Sequence, residues 1–339
     1  MIEYIARKSL QKLPAELAHD IAIKALGSPL SLFSKSKQVQ NPTTLMGIKF
    51  PNPVGLAAGF DKNGDAIHGL SKQGFGFLEL GTVTPKAQPG NDKPRLFRLA
   101  ADDAIINRMG FNNKGVDYLI KQVKSSNYRG VLGINIGKNK STPNEQAVND
   151  YTHCFEKAHL HCDYITINIS SPNTPDLREL QNDQALTSLL TGIKEKQLEC
   201  EQKTNKYTPV LVKISPDQNK TQLEFMVKQI KSMGFDGIIC TNTTVDRPET
   251  LKSKLNLTHE AGGLSGKPLR KKSNNTLRLV RNFAGENFPI IAVGGIIDKK
   301  DALEKLSLGA NLIQLYTGFV IQGNGLIRQI NDQIKSENT

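Results

Sequence analysis

The sequence has no tryptophan, and aromatic residues make up only 6% of it. A platform that stacks nucleic-acid bases needs such side chains, so nucleic acid is not an expected partner. The four cysteines, Cys154, Cys162, Cys200 and Cys240, show no C-x-x-C spacing. That fits free, mostly buried thiols in a reducing compartment. No stretch approaches the roughly 20 uninterrupted apolar residues of a membrane-spanning helix. The opening segment, MIEYIARKSLQKLPAELAHD, contains acidic residues and no long apolar centre, which argues against a secretory signal. There is no internal repeat and no low-complexity block. The segment HCFEKAHLHC (153–162) concentrates histidine and cysteine, but its spacing matches no familiar zinc pattern. It reads as an amphipathic helix, and no metal is expected.

What the chain does have is positive charge, +12 net over 339 residues. Such a balance suits nucleic acid, an anionic membrane surface or anionic small molecules. The lysines and arginines are scattered, with only short clusters such as Arg270-Lys271-Lys272. A soluble basic protein accounts for most of this charge. The length suits one large domain or two small ones, and single-domain (β/α) barrels are often this long.

Two short amphipathic helices open the chain. Ile2, Ile5, Ala6 and Leu10 fall near one helical face. After Pro14, a second stripe of Leu17, Ala18, Ile21, Ala22 and Ala25 ends at Gly27 and Pro29. A polar link, SKSKQVQNPTT (34–44), leads onward. From Val54, eight short apolar runs recur: VGLAAG (54–59), FLELGT (77–82), VLGINIG (131–137), ITINIS (165–170), VLVKIS (210–215), GIICTN (237–242), IIAVGG (290–295) and LIQLYTG (312–318). Near-continuous apolar runs are expected of strands buried on both faces. Helical patterns lie between most of them, for example at 221–235 and 299–310. Eight strands alternating with helices predict a (β/α)8 TIM barrel of the α/β class. A doubly wound open sheet is the rival. No G-x-G-x-x-G follows the first strand, which weighs against a dinucleotide fold. Two connections are long. Residues 85–113 hold two strand-like pieces around Ala101-Asp102-Asp103, predicting a hairpin over the barrel mouth, and residues 244–268 follow the sixth strand.

The strand ends carry the chemistry. They read Gly59-Phe60-Asp61-Lys62-Asn63, Thr82, Asn135, Asn168 with Ser171, Lys213, Thr241-Asn242-Thr243, Gly294-Gly295 and Tyr316-Thr317-Gly318. Each of these could cap a helix or satisfy a turn, but amides, hydroxyls and lysine are costly to bury unpaired. Convergence on one rim explains them together. Glycines after the seventh and eighth strands suit a phosphate held by backbone N–H groups, and Gly262-Gly263-Leu264-Ser265-Gly266 is a candidate third anion-binding turn. Lys213 has three readings: a Schiff base, a catalytic base, or a fixed charge beside an electron-rich cofactor. Asn107, Asn135, Asn168, Asn173 and Asn242 offer paired donors and acceptors, which suit a planar heterocycle with amide and imide edges. No acidic pair stands at the strand ends, so glycoside hydrolysis is not expected.

LAAGFDKNG (56–64), FGFLELGTVTPKAQPGNDKPRLFRL (75–99), INRMGFNN (106–113), NISSPNTPDLR (168–178), VKISPD (212–217), CTNTT (240–244), GGLSGKPL (262–269) and IIAVGGI (290–296) together resemble the dihydroorotate dehydrogenase family, in order and over nearly the whole chain. The serine in NISSPN and the N-terminal helical pair resemble its membrane-associated, quinone-dependent class. The soluble class, which uses fumarate or NAD, has cysteine at that serine and lacks the extension. The resemblance implies a helical quinone-access segment over 1–40 and an FMN-binding barrel over 41–335. For FMN it implies Ala58, Gly59, Phe60, Asp61, Lys62, Thr82, Asn135, Asn168, Lys213, Thr241, Gly266, Gly295, Tyr316 and Thr317. For dihydroorotate or orotate it implies Lys62, Asn107, Arg108, Met109, Gly110, Phe111, Asn168, Asn173, Asn242 and Thr243, with Ser171 as catalytic base. It further implies a ubiquinone-type acceptor, a monomer, and peripheral attachment at the cytoplasmic face of a bacterial inner membrane. His19 and Arg98 are the expected polar contacts to the quinone head. The remaining alternatives are a soluble FMN enzyme, a Schiff-base aldolase built on Lys213, and a non-catalytic binding protein.

Overall fold

A computed structural model describes residues 2–28, 31, 39–174 and 176–337. Pro29 and much of the expected polar link lie outside the described residues. The eight predicted runs are eight parallel strands: Val54–Leu56, Phe77–Val83, Val131–Ile136, Tyr164–Asn168, Val210–Ile214, Gly237–Cys240, Ile290–Val293 and Leu312–Leu315. The eighth pairs with the first, so the sheet closes into a barrel and the open-sheet alternative falls.

Shape complementarity fixes the barrel's interior. Gly55 on the first strand leaves room for the ring of Phe77 on the second, where a Cβ would lie 2.3 Å from the ring. Gly133 makes the same room for Tyr164, at 2.2 Å. Large side chains therefore fill space left by neighbours with none, as close packing of an interior requires. Beneath them an unpredicted hairpin, Thr43–Leu45 with Ile48–Phe50, closes the bottom of the barrel. Met46 and Gly47 both take positive φ, 53° and 74°, as a two-residue hairpin turn requires. Two strands alone are marginal in water. Here Phe50 is fully buried, edge-on to Phe77 at 5.2 Å, and its burial contributes roughly 1.5–3 kcal/mol.

The predicted mouth hairpin forms from Leu96–Leu99 and Ala104–Asn107. A third strand, Gly263–Gly266, pairs with its inner edge, so the glycine-rich stretch expected to make an anion-binding turn is a strand instead. Leu251 and Leu257 from the long insertion pack under this sheet against Leu99, Ile106 and Leu264.

The N-terminal helices are α1 (Ile2–Leu10) and α2 (Ala15–Gly27). Glu16 of α2 pairs with Arg95 at 2.9 Å, fixing the helices beside the hairpin. Their apolar residues split into two sets. Ala6, Leu10, Ala18, Ala22 and Ala25 turn towards the barrel, whereas Tyr4, Ile5, Leu13, Leu17 and Ile21 are exposed. The apolar stripe expected on each helix is therefore divided between an inward and an exposed face. Among the described residues, no helix is long and apolar enough to cross a membrane.

Candidate active site

The C-terminal strand ends surround a cavity of about 990 Å³, its open mouth included.

The first strand ends at Leu56, and the chain then turns sharply at Gly59, where φ is +99°. Asp61 drives this turn. Its buried carboxylate accepts backbone N–H bonds from Asn63, Gly64, Asp65 and Ala66 at 2.8–3.2 Å. The turn places Lys62 in the cavity wall, its ammonium donating to the Gly59 carbonyl at 2.9 Å. Burial, reinforced by the nearby charge of Arg95, lowers the Lys62 pKa to about 8.

The next three strand ends share one hydrogen-bonded row. Thr82 Oγ1 donates to Asn135 Oδ1 at 2.5 Å. Asn168 Nδ2 donates to Thr82 Oγ1 at 2.9 Å and to Asn135 Oδ1 at 3.2 Å. Asn242, after the sixth strand, donates to Ser170 Oγ at 3.0 Å. On the fifth strand Lys213 is buried and forms no salt bridge among the described residues. Desolvation lowers its pKa, and the negative charge of Glu79 opposes that shift.

Ser171 lies in the loop after the fourth strand, 6% exposed, with its Oγ accepting the Asn173 N–H at 3.2 Å. Asn173 in turn donates to Asn107 Oδ1 at 3.1 Å. Arg178 anchors the loop. Its guanidinium donates to Asp217 at 2.8 Å, to the Ser170 carbonyl at 3.2 Å and to the Thr243 carbonyl at 3.1 Å. The hydroxyl of Thr174, in the same loop, is buried without a hydrogen-bond partner among the described residues.

On the opposite side, Gly294 and Gly295 have φ of +106° and +81°. A Cβ at position 295 would sit 2.3 Å from the Arg270 Cα, so only glycine permits this approach to the start of the Arg270–Ala284 helix. Thr317 Oγ1 and Ser265 Oγ lie 2.9 Å apart across the same rim.

Most expected site residues line this cavity: Ala58, Gly59, Lys62, Thr82, Asn107, Met109, Gly110, Phe111, Asn168, Ser171, Asn173, Lys213, Thr241, Asn242, Thr243, Gly266, Gly295, Tyr316 and Thr317. Four do not. Phe60 lines a second cavity, Asp61 is spent on the turn, and Arg108 turns outward to Glu260 at 2.5 Å. Asn135 sits behind Thr82, fully buried. Sequence reasoning missed Glu79 and Gln314. Gln314 lines the cavity and donates to Glu79 at 2.6 Å, while its own Oε1 has no partner among the described residues. A charged or amide residue in the middle of an apolar strand was the available signal.

The second cavity, about 1300 Å³ with its open mouth included, lies between the two N-terminal helices and the barrel. Its walls are mainly alanine, leucine and phenylalanine, and both His19 and Arg98 reach it. Burial, with the Lys62 charge, lowers the His19 pKa to about 3, so the imidazole is neutral. Arg98 donates to the carbonyls of Gln11 at 2.6 Å and Leu13 at 3.2 Å. Tyr316 borders both cavities.

A sequence profile of dihydroorotate dehydrogenase matches residues 41–337. The chain belongs to the dihydroorotate dehydrogenase family. It is 53% identical over 319 residues to the dihydroorotate dehydrogenase (quinone) of Idiomarina loihiensis, covering 93% of this chain and 95% of that one. With the enzyme of the same name from Aliivibrio fischeri it shares 50% identity over 338 residues, covering 98% and 100%. Among solved structures it resembles the Eimeria tenella dihydroorotate dehydrogenase in complex with ferulenol, with a TM-score of 0.88 and 36% identity over 94% of this chain and 90% of that one. The ligand-free form of that protein gives a TM-score of 0.87 at 37% identity, covering 94% of each chain. The family match begins after the N-terminal helices, whereas the Aliivibrio fischeri relative, covering 98% of this chain, also spans most of that segment.

Proposed function

We propose that this protein oxidises dihydroorotate to orotate in pyrimidine biosynthesis, using FMN as prosthetic group and a quinone as electron acceptor. The observation that carries the reading is one cavity that unites a buried serine, four lining asparagines, two lysines and a glycine turn. The donor set suits FMN. The Gly294-Gly295 turn at a helix start favours a phosphate, and the unpartnered Gln314 Oε1 awaits a donor. Lys213 provides a fixed positive charge at the cavity floor. When bound, FMN supplies the two-electron acceptor that no side chain can provide.

The remaining work falls to this chain's residues. Lys62 pairs with the substrate carboxylate. Asn107, Asn173 and Asn242 hold the pyrimidine ring edges and stabilise charge developing on the carbonyl next to C5. Ser171 Oγ takes the C5 proton and passes it to water or to Thr174. The N–H bond from Asn173 favours the hydroxyl's more anionic state, partly replacing the absent histidine. The loop held by Arg178 keeps bulk water out.

The second cavity suits a ubiquinone-type head group and tail, with neutral His19 and Arg98 as polar contacts. The exposed Tyr4, Ile5, Leu13, Leu17 and Ile21, set among basic residues, suit peripheral attachment to the cytoplasmic face of a bacterial inner membrane by a monomer.

A visible spectrum tests the core of this reading. Purified protein is expected to be yellow and to bleach under anaerobic dihydroorotate. A colourless protein trapped by borohydride with substrate would instead support the aldolase reading of Lys213. Lys213→Ala is expected to lower the flavin potential and weaken FMN retention. A potential equal to wild type in redox titration counts against the charge assigned to it.

A further inference from the structure

Glu79 lies outside the cavity lining, wholly buried on the second strand. Among the described residues its carboxylate meets only donors: Asn135 Nδ2 at 2.8 Å, Tyr164 Oη at 3.0 Å and Gln314 Nε2 at 2.6 Å. An ionised carboxylate can only accept, whereas an amide fits its pocket almost equally well either way round. Sterics alone therefore leave an asparagine's direction open, and the carboxylate settles it.

The consequence runs along the row. With its nitrogen committed to Glu79, Asn135 turns its carbonyl to Thr82 and Asn168. Asn168 then turns its carbonyl to Ser170 Oγ at 3.1 Å and to Asn242 Nδ2 at 3.4 Å. Asn242 turns its own carbonyl to the Thr243 N–H at 2.8 Å. All three amides thus point their nitrogens back towards Glu79 and their carbonyls away from it.

We propose that Glu79 is a positioning residue whose carboxylate sets the donor–acceptor direction of the Asn135–Asn168–Asn242 row, and so determines which amide edges meet the pyrimidine and the cofactor. This rests on the proposed flavin and dihydroorotate site. A reversed row presents carbonyl oxygens where the site offers N–H donors, turning attraction to a ring carbonyl into repulsion.

The test pairs Glu79→Gln with the double variant Glu79→Gln/Asn135→Asp. The single variant loses the acceptor-only end. The double variant restores it one position along: the new amide at position 79 donates to the new carboxylate at position 135, which accepts from Thr82 and Asn168. Three quantities are read: single-turnover bleaching by dihydroorotate, orotate affinity, and FMN affinity of the apoprotein. Glu79→Gln is expected to slow bleaching and weaken orotate binding about 10- to 100-fold, the scale of outer-shell partners in other sites. The double variant is expected to recover most of both losses. Wild-type protein that does not bleach overturns the functional reading itself. Wild-type protein that bleaches, alongside a Glu79→Gln variant unchanged in all three quantities, overturns this inference alone. Equal impairment of both variants also overturns it, because charge at position 79 and not amide direction would then be at work. Should Glu79→Gln fail to fold, neutron diffraction of the wild-type holoenzyme reads the point directly. Deuterium on the Asn135 atom facing Glu79 supports the proposal, and a proton on the Glu79 carboxyl overturns it.

Discussion

Ser171→Ala is expected to slow reduction of bound FMN by dihydroorotate by about 10²–10⁴-fold, the usual contribution of a positioned general base. The variant should still fold and stay yellow. Ser171 is on a loop outside the barrel ladder, and its Oγ accepts one backbone N–H bond, from Asn173. Removing the hydroxyl costs the fold little and the proton transfer a great deal. Lys62 and the asparagines remain to hold the ring, so orotate should bind nearly as before. Ser171→Cys is expected to keep part of the activity, since a thiol also exchanges protons. The measurement is anaerobic stopped-flow bleaching with FMN content checked in parallel. An unchanged bleaching rate in Ser171→Ala would end the base assignment.

Deleting residues 1–40 is expected to reduce quinone turnover by at least about 100-fold while sparing dihydroorotate oxidation with a soluble dye. The deletion removes one whole wall of the second cavity, including Ala6, Leu10, Ala18 and Ala22. It leaves the other wall, with Ile105, Phe319 and Val320, open to water. The asymmetry is what matters, because the serine, asparagines and lysines of the first cavity all lie beyond residue 40. Deletion also breaks the Glu16–Arg95 pair and the Arg98 bonds to Gln11 and Leu13. Arg95 still donates to the Pro89 and Asn91 carbonyls, so the hairpin keeps internal support. Equal loss with dye and quinone would show that the helices are needed for folding, and the separation of the two half-reactions would fail.

The barrel was legible because strands buried on both faces must be apolar almost throughout, and eight such runs stood out. The mouth hairpin was legible for a similar reason, two strand-like pieces around a polar turn. The bottom hairpin was not. Its strands are three residues each, and its turn is Met46-Gly47, without the asparagine or aspartate that usually marks positive φ. Gly263–Gly266 read as a turn because glycine permits one, and pairing with the neighbouring Ala104–Asn107 edge, helped by a bridge from Thr244 to Leu264, makes it a strand. Most of the candidate site came from motifs, and motifs mark positions without giving side-chain direction. Asp61 and Phe60 adjoin Lys62 in sequence, yet one ties down the local backbone and the other faces the helical cavity. Glu79 escaped notice because the strand around it looked complete without it. The helices were predicted correctly as elements, but a hydrophobic stripe does not reveal which side meets the barrel.

Tyr316 contributes to the walls of both cavities. Its ring faces Phe60 at 5.9 Å on the helical side while bordering the strand-end chamber on the other. A replacement at this position alters both compartments at once, so its phenotype cannot be credited to either. On the proposed assignment of the two cavities, electrons leaving the first chamber for the second would pass beside this ring while the two reactants stay physically separate.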